Sequence, residues 1–120
     1  MKTTIKILSF TIFFISAWVS GQQKPEPTFE VAGNMVKAIY YHENGQIAQV
    51  GCFKAGKLQG EWVMFDENGT KISLGSYDKG IRTGEWFFWT TDGSKLREVS
   101  YADGKLVGVT EWKNTDKMVL

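Results

Sequence analysis

The feature that most constrains this chain is a spacing of 24 residues at which many positions agree at once. Asn44-Gly45, Asn68-Gly69 and Asp92-Gly93 stand in one column, Gly56, Gly80 and Gly104 in a second, and Gly60, Gly84 and Gly108 in a third. Aromatic residues keep the same period. Phe29, Phe53, Tyr77 and Tyr101 form one column, and Tyr41, Phe65 and Trp89 another. Trp62 and Trp86 close two identical Gly-Glu-Trp triplets.

Within one period the pattern reads strand, turn, strand. Glu61 to Asp66 is rich in aromatic and β-branched residues, Glu67-Asn68-Gly69 is a hairpin signal, and Lys71 to Tyr77 is a second strand. Asn or Asp before Gly tolerates positive φ, so these dipeptides are expected to close tight reversals. Asp78-Lys79-Gly80 and Ala102-Asp103-Gly104 supply the reversals between units. Strands joined by such short turns run antiparallel. A helical reading fails because each of the 13 glycines, nearly all inside the repeats, would cost a helix interior about 1 kcal/mol.

The ends of the array decay, as terminal repeats do. Ala32, Val36 and Ala38 occupy the places of Gly56, Gly60 and Trp62, with Gly33 displaced by one. Val109-Thr110 stands where Glu-Trp is expected, Trp112 falls in the column of Tyr40, Met64 and Phe88, and Asn114 to Lys117 resembles a further turn without its glycine. The expectation is about three units with degenerate caps over 29–120, preceded by a polar, proline-containing linker at 22–28.

Ahead of the repeats, Lys2 and Lys6 precede an apolar run from Ile7 to Val19, then Ser20-Gly21. Positive, apolar, then small is the order of a secretory signal peptide, assigned here to 1–21 with cleavage before Gln22. The run is shorter than the ~20 residues of a spanning helix. The expected location is therefore periplasmic or extracellular. The lone Cys52 offers neither a lipid-modified N-terminus nor an intramolecular disulfide, so packing and strand pairing alone must hold the domain. Removing Lys2 and Lys6 takes 14 basic residues to 12 against 13 acidic ones, a near-neutral balance with both signs interspersed. A nucleic-acid partner is not expected from such a surface.

The run Gly56-Lys-Leu-Gln-Gly60-Glu-Trp62, then Phe65-Asp-Glu-Asn-Gly69, then Gly75-Ser-Tyr77-Asp-Lys-Gly80, resembles the bacterial variant of the MORN repeat (membrane occupation and recognition nexus). The resemblance reaches from about Phe29 to Trp112 and implies an all-β fold of stacked antiparallel hairpins in one elongated twisted sheet. It further implies protein–protein scaffolding, binding to phospholipid head groups, or, among bacterial members, an antitoxin-like role. The signal at 1–21 does not suit a cytoplasmic antitoxin and leaves an exported immunity protein as the form of that reading. Choline-type cell-wall-binding repeats also combine Gly-x-Trp with Asn-Gly and cage a quaternary ammonium between aromatic rings. Their unit is shorter, and the Gly-x-Tyr-x-x-Gly segment favours the MORN resemblance.

No catalytic residue comes with these repeats, and none emerges from the chain. The sole histidine, His42, and Cys52 could in principle pair across a hairpin as imidazole and thiol. Yet His42 shares its column with Asp66 and Thr90, and Cys52 with Ser76 and Ser100, as ordinary repeat positions do. No set of Cys and His completes a zinc shell, and no cofactor is expected. Glu61 with Glu85, and Glu43 with Glu67, likewise recur once per unit instead of marking a single site.

Binding is the expected activity, through a protein partner first, with phospholipid head groups or cell-envelope glycan as the alternative. Along 86–89, Trp86 and Phe88 point one way, Phe87 and Trp89 the other, so that strand is apolar on both sides. Trp62, Trp86, Phe88, Trp89, Tyr77 and Tyr101 are the candidate surface aromatics. Each is either core or, in a thin sheet lacking a second layer, part of an exposed patch.

Overall fold

Two kinds of reversal alternate along the chain and cut it into strands. The computed structural model describes residues 25–113; the signal read at 1–21, residues 22–24 of the linker and the turn-like Asn114 to Lys117 lie outside them. Among the described residues there is no helix, and eight strands follow one another: β1 Thr28–Ala32, β2 Met35–Tyr41, β3 Ile47–Lys54, β4 Lys57–Phe65, β5 Lys71–Asp78, β6 Ile81–Trp89, β7 Lys95–Ala102 and β8 Lys105–Lys113. They form one antiparallel sheet in sequence order, β1 to β8, open at both ends. Sequential order follows from loop length, since loops this short leave each strand no neighbour but the next.

The first kind of reversal is a two-residue turn. Ala55-Gly56, Lys79-Gly80 and Asp103-Gly104 have φ values of 48 and 76°, 50 and 83°, and 52 and 78°. Positive φ at both central residues is the I′ geometry, whose twist matches that of the flanking strands. The glycine column at 56, 80 and 104 supplies the second position, while Ala55, Lys79 and Asp103 hold an unfavourable conformation that costs about 1 kcal/mol each.

The second kind corrects the expected tight Asn-Gly reversal. Here the Asn or Asp does not take positive φ; only Gly45, Gly69 and Gly93 do. The loops after His42 and Asp66 hold three residues each, 43–45 and 67–69, and the loop after Thr90 holds four, 91–94. Gly45 N–H donates to the His42 carbonyl and His42 N–H to the Gln46 carbonyl, and Asp66 repeats the pattern with Gly69 and Thr70; Thr90 likewise accepts from Gly93 N–H, but its own N–H donates one residue further on, to the Lys95 carbonyl. This is a type I turn closed by a left-handed glycine. The Asx side chain, freed from the αL role, accepts backbone N–H groups instead: Asn44 from Gln46, and Asp92 from Ser94.

Hairpins β2–β3, β4–β5 and β6–β7 are thus three copies of one unit, with β1 and β8 flanking them. Neighbouring units are tied at both ends of the strands. Gly80 N–H donates to the Leu58 carbonyl and Gly104 N–H to that of Arg82, the second bond repeating the first one 24-residue period later. Gln59 bridges to the next turn through Lys79 N–H and Asp78. At the opposite end Asn44 Nδ2 donates to the Glu67 carbonyl.

Two register features shape the sheet. Opposite Gly51, between Val50↔Val63 and Cys52↔Gln59, β4 carries Gly60, Glu61 and Trp62, and β6 repeats this opposite Gly75 with Gly84, Glu85 and Trp86. β8 departs from it. There only Val107 is extra, between Ser100↔Gly108 and Tyr101↔Leu106, and every later residue of β8 is displaced relative to its column. A one-residue slip moves side chains to the other face. Trp112, aligned in sequence with Phe88, therefore sits opposite Leu96 on the face of Trp89, not on the face of Phe88.

With a single layer, burial has to come from neighbours in the same sheet. Ala38, Trp62, Trp86, Leu96 and Val99 are the buried apolar residues, and Ser73 the buried polar one.

Candidate interaction surface

The indole rings of Trp62 and Trp86 organise one face of the sheet. Each lies back over a glycine of the preceding strand: a Cβ added at Gly51 would fall inside the ring of Trp62, and one at Gly75 inside that of Trp86. The bulged triplet delivers the ring there, because the extra residues swing the Trp across the strand that precedes it. Each indole N–H is then satisfied by a main-chain carbonyl, Trp62 Nε1 donating to Cys52 at 3.1 Å and Trp86 Nε1 to Ser76 at 3.2 Å. The two are only 3% and 5% exposed, so they are the core of this face and not open contact residues.

Other rings stand edge-on around them. Tyr77 lies between the two indoles, with centroids at 6.4 Å from Trp62 and 5.0 Å from Trp86, both near perpendicular. Phe53 meets Trp62 at 5.3 Å, Tyr101 meets Trp86 at 6.0 Å, and Phe29 meets Tyr40 at 6.4 Å. Edge-to-face pairs of this kind contribute about 0.5–1.5 kcal/mol beyond area burial. A continuous aromatic ladder thus crosses the sheet from β1 to β7. Tyr77, Tyr101 and Phe88 are half-buried within it. Arg82 caps its end, its guanidinium 5.2 Å from the Trp86 ring and 5.4 Å from that of Tyr101, with Nη1 donating to the Tyr101 hydroxyl at 3.1 Å. Hydrogen bonding to the hydroxyls of Tyr77, its register partner, and Tyr101 raises the Arg82 pKa above its ordinary value.

The opposite face is apolar too, with Ile39, Val50, Val63, Leu74 and Phe87 in successive register pairs across it. Phe87 and Trp89 stack at 6.0 Å with planes 20° apart, while Trp86 and Phe88 stack at 6.2 Å on the ladder face, the two-sided pattern expected of this strand. Trp89 is half-buried, and its indole N–H is buried without a hydrogen-bond partner.

Beyond Trp86 the pattern stops. Thr110 stands in the column of Trp62 and Trp86, and Val99 in that of Gly51 and Gly75. Val99 is buried against Trp86, its register partner, and the displaced β8 puts Val109 opposite it. The space left is an open groove of about 400 Å³ lined by Phe88, Val99, Tyr101, Leu106 and Val109, with Arg97 and Glu111 also on its walls. Gly51, Gly75, Arg82 and this groove were not singled out from the sequence. The signal for the two glycines was present as a further 24-residue column, whereas the groove depends on the register shift in β8.

The polar candidates are dispersed. His42 Nε2–H donates to the Phe65 carbonyl at 2.8 Å, tying adjacent units, and Cys52 lies at the other end of β3, opposite Lys37. Glu85 accepts from Ser100 Oγ across the sheet. Among the described residues no cluster of three or more His, Cys, Asp or Glu side chains is placed to hold a metal ion.

The fold and surface define a single-layer β-repeat module: one open sheet of stacked hairpins with apolar side chains on both faces. The profile of the MORN repeat variant matches residues 36–55 and 58–79, the β2–β3 and β4–β5 hairpins. The likeness read between Phe29 and Trp112 thus extends beyond the matched segments. Repeats of this family are generally non-enzymatic modules for binding or interaction with proteins or membrane lipids. No curated protein matches the chain.

Proposed function

We propose that this chain is an exported, non-enzymatic recognition module of the cell envelope that binds a protein partner through the aromatic ladder face. The observation that carries the reading is the single layer itself. Among the described residues nothing packs over the ladder, so Tyr77, Phe88 and Tyr101 remain half-open and Met64 is 41% exposed beside them. Contiguous apolar surface of this kind marks a partner site. Aromatic rings and an Arg are what protein interfaces enrich. Export rests on the Lys2 to Gly21 pattern.

The test sets protein against envelope lipid and glycan. The secreted form is expected to recover a specific protein from an envelope extract, and to stay in the supernatant when spun with anionic liposomes or peptidoglycan. Met64→Lys should abolish the capture while leaving the circular-dichroism spectrum unchanged. Sedimentation with either material, insensitive to Met64→Lys, would replace protein recognition with head-group or glycan binding. Immunity to a toxin is the form that protein recognition would take if the captured protein were one.

A further inference from the structure

We infer that the two edge strands recognise each other, β8 of one copy pairing with β1 of a second copy so that the sheet continues from molecule to molecule. This inference concerns the edges and does not depend on what the ladder face binds.

Of the large apolar side chains that stay exposed, most lie on these two strands: Phe29 and Val31 on β1, and Leu106, Val107, Val109 and Trp112 on β8. Phe29 and Val31 face the ladder side, being register partners of Ala38 and Val36, and Leu106 and Val109 face the same side opposite Tyr101 and Val99. Among the described residues neither edge has a further neighbour. Unpaired edges of this kind template strand addition unless charge or proline blunts them. β1 has Glu30 as its one charge and contains no proline.

Three relationships choose β1 as the occupant of the β8 edge. The first is polarity. In an eight-stranded meander β1 and β8 run in opposite directions, so translating one copy beyond β8 brings an antiparallel β1 alongside with the ladder faces on the same side. The second is strand type. Every junction in the sheet pairs a strand of the Phe29, Phe53, Tyr77 and Tyr101 column with one of the other kind, and β8 followed by β1 keeps that alternation. Phe53, Tyr77 and Tyr101, flanked on both sides, are half-buried, whereas Phe29 is 58% exposed for want of a strand on its outer side. A second copy's β8 supplies it, and brings the groove of Phe88, Val99, Leu106 and Val109 within reach of the Phe29 ring. The third is charge: β1 carries −1 from Glu30, and β8 carries +1 from Lys105 and Lys113 against Glu111. Pairing β8 with another β8 would oppose like charges and leave Phe29 open.

Such a contact is heterologous, so it propagates into open chains instead of closing as a dimer. The full-length chain is expressed, and the form recovered is examined by sedimentation velocity over a range of concentrations. Its mean mass should rise steadily past that of a dimer. Val31→Lys and Val109→Lys, both at exposed positions, should each be monomeric with unchanged circular dichroism, and their equimolar mixture should yield a 1:1 dimer that grows no further. A wild-type chain monomeric throughout, a Val31→Lys variant that still dimerises through β8, or a mixture that stays monomeric overturns the inference.

Discussion

Trp62 covers Gly51 so closely that the glycine has no room for a methyl group, and Trp86 stands in the same relation to Gly75. The pair is a single packing unit, made of a ring that needs a flat strand beneath it and a strand kept flat by lacking a side chain.

Gly51→Ala should therefore destabilise the protein by about 1–3 kcal/mol, the usual cost of overpacking. Trp62→Leu should cost a similar amount or more through lost burial. Combined, the two changes should cost less than their sum, with a coupling of about 1 kcal/mol or more, because the smaller side chain makes room for the methyl. Urea denaturation of the four proteins measures the cycle; strict additivity would show that the ring does not bear on Gly51 in solution.

The two turn types separate backbone strain from packing. At Gly69 φ is +85° and only Gln46 Oε1, 4.0 Å away, approaches the place of a Cβ, so Gly69→Val should lose about 1–2 kcal/mol through conformation alone. Ala55 is the converse, a non-glycine already at φ 48° in a type I′ turn. Ala55→Asn should raise the thermal midpoint, by up to about 1 kcal/mol of stability, since Asn enters the left-handed region more readily. A Gly69→Val variant melting with the wild type would remove the turn assignment.

Asp92 gives the stability a defined acid limb. Its carboxylate accepts Thr90 Oγ1 at 2.6 Å, then Ser94 N–H at 2.9 Å and Ser94 Oγ at 2.7 Å, and these bonds hold its pKa down from 3.8 to about 2. The folded pKa lies below the unfolded one, so the stabilisation is fully present above about pH 4 and is lost as pH falls through about 2. Asp92→Asn should be less stable than the wild type at pH 7, with the difference shrinking between pH 4 and pH 2. Urea midpoints at stepped pH measure this, and parallel curves for the two proteins would remove Asp92 from the acid response.

Much of the fold was legible because repetition multiplies weak local signals. One Asn-Gly is a common dipeptide, but three at equal spacing with glycines and aromatics in step leave few architectures other than stacked hairpins. The candidate surface was legible only in part. Trp62, Trp86, Phe88, Tyr77 and Tyr101 do share one face, yet which of them are covered depends on the bulged triplets, and Trp89 belongs to the other side.

The sequence by itself determined the elements: where the chain reverses, that its strands are antiparallel, and that they recur every 24 residues. These are consequences of φ preferences and side-chain type within a few residues of each other. Only the tertiary structure decided the register, which set Gly51 under Trp62, swung Trp112 away from the ladder face and opened the groove over Val99. The physical reason is that a strand's side chains alternate between faces, so one extra residue in a bulge reassigns every position beyond it, and hydrogen bonding with the neighbouring strand fixes where that residue goes.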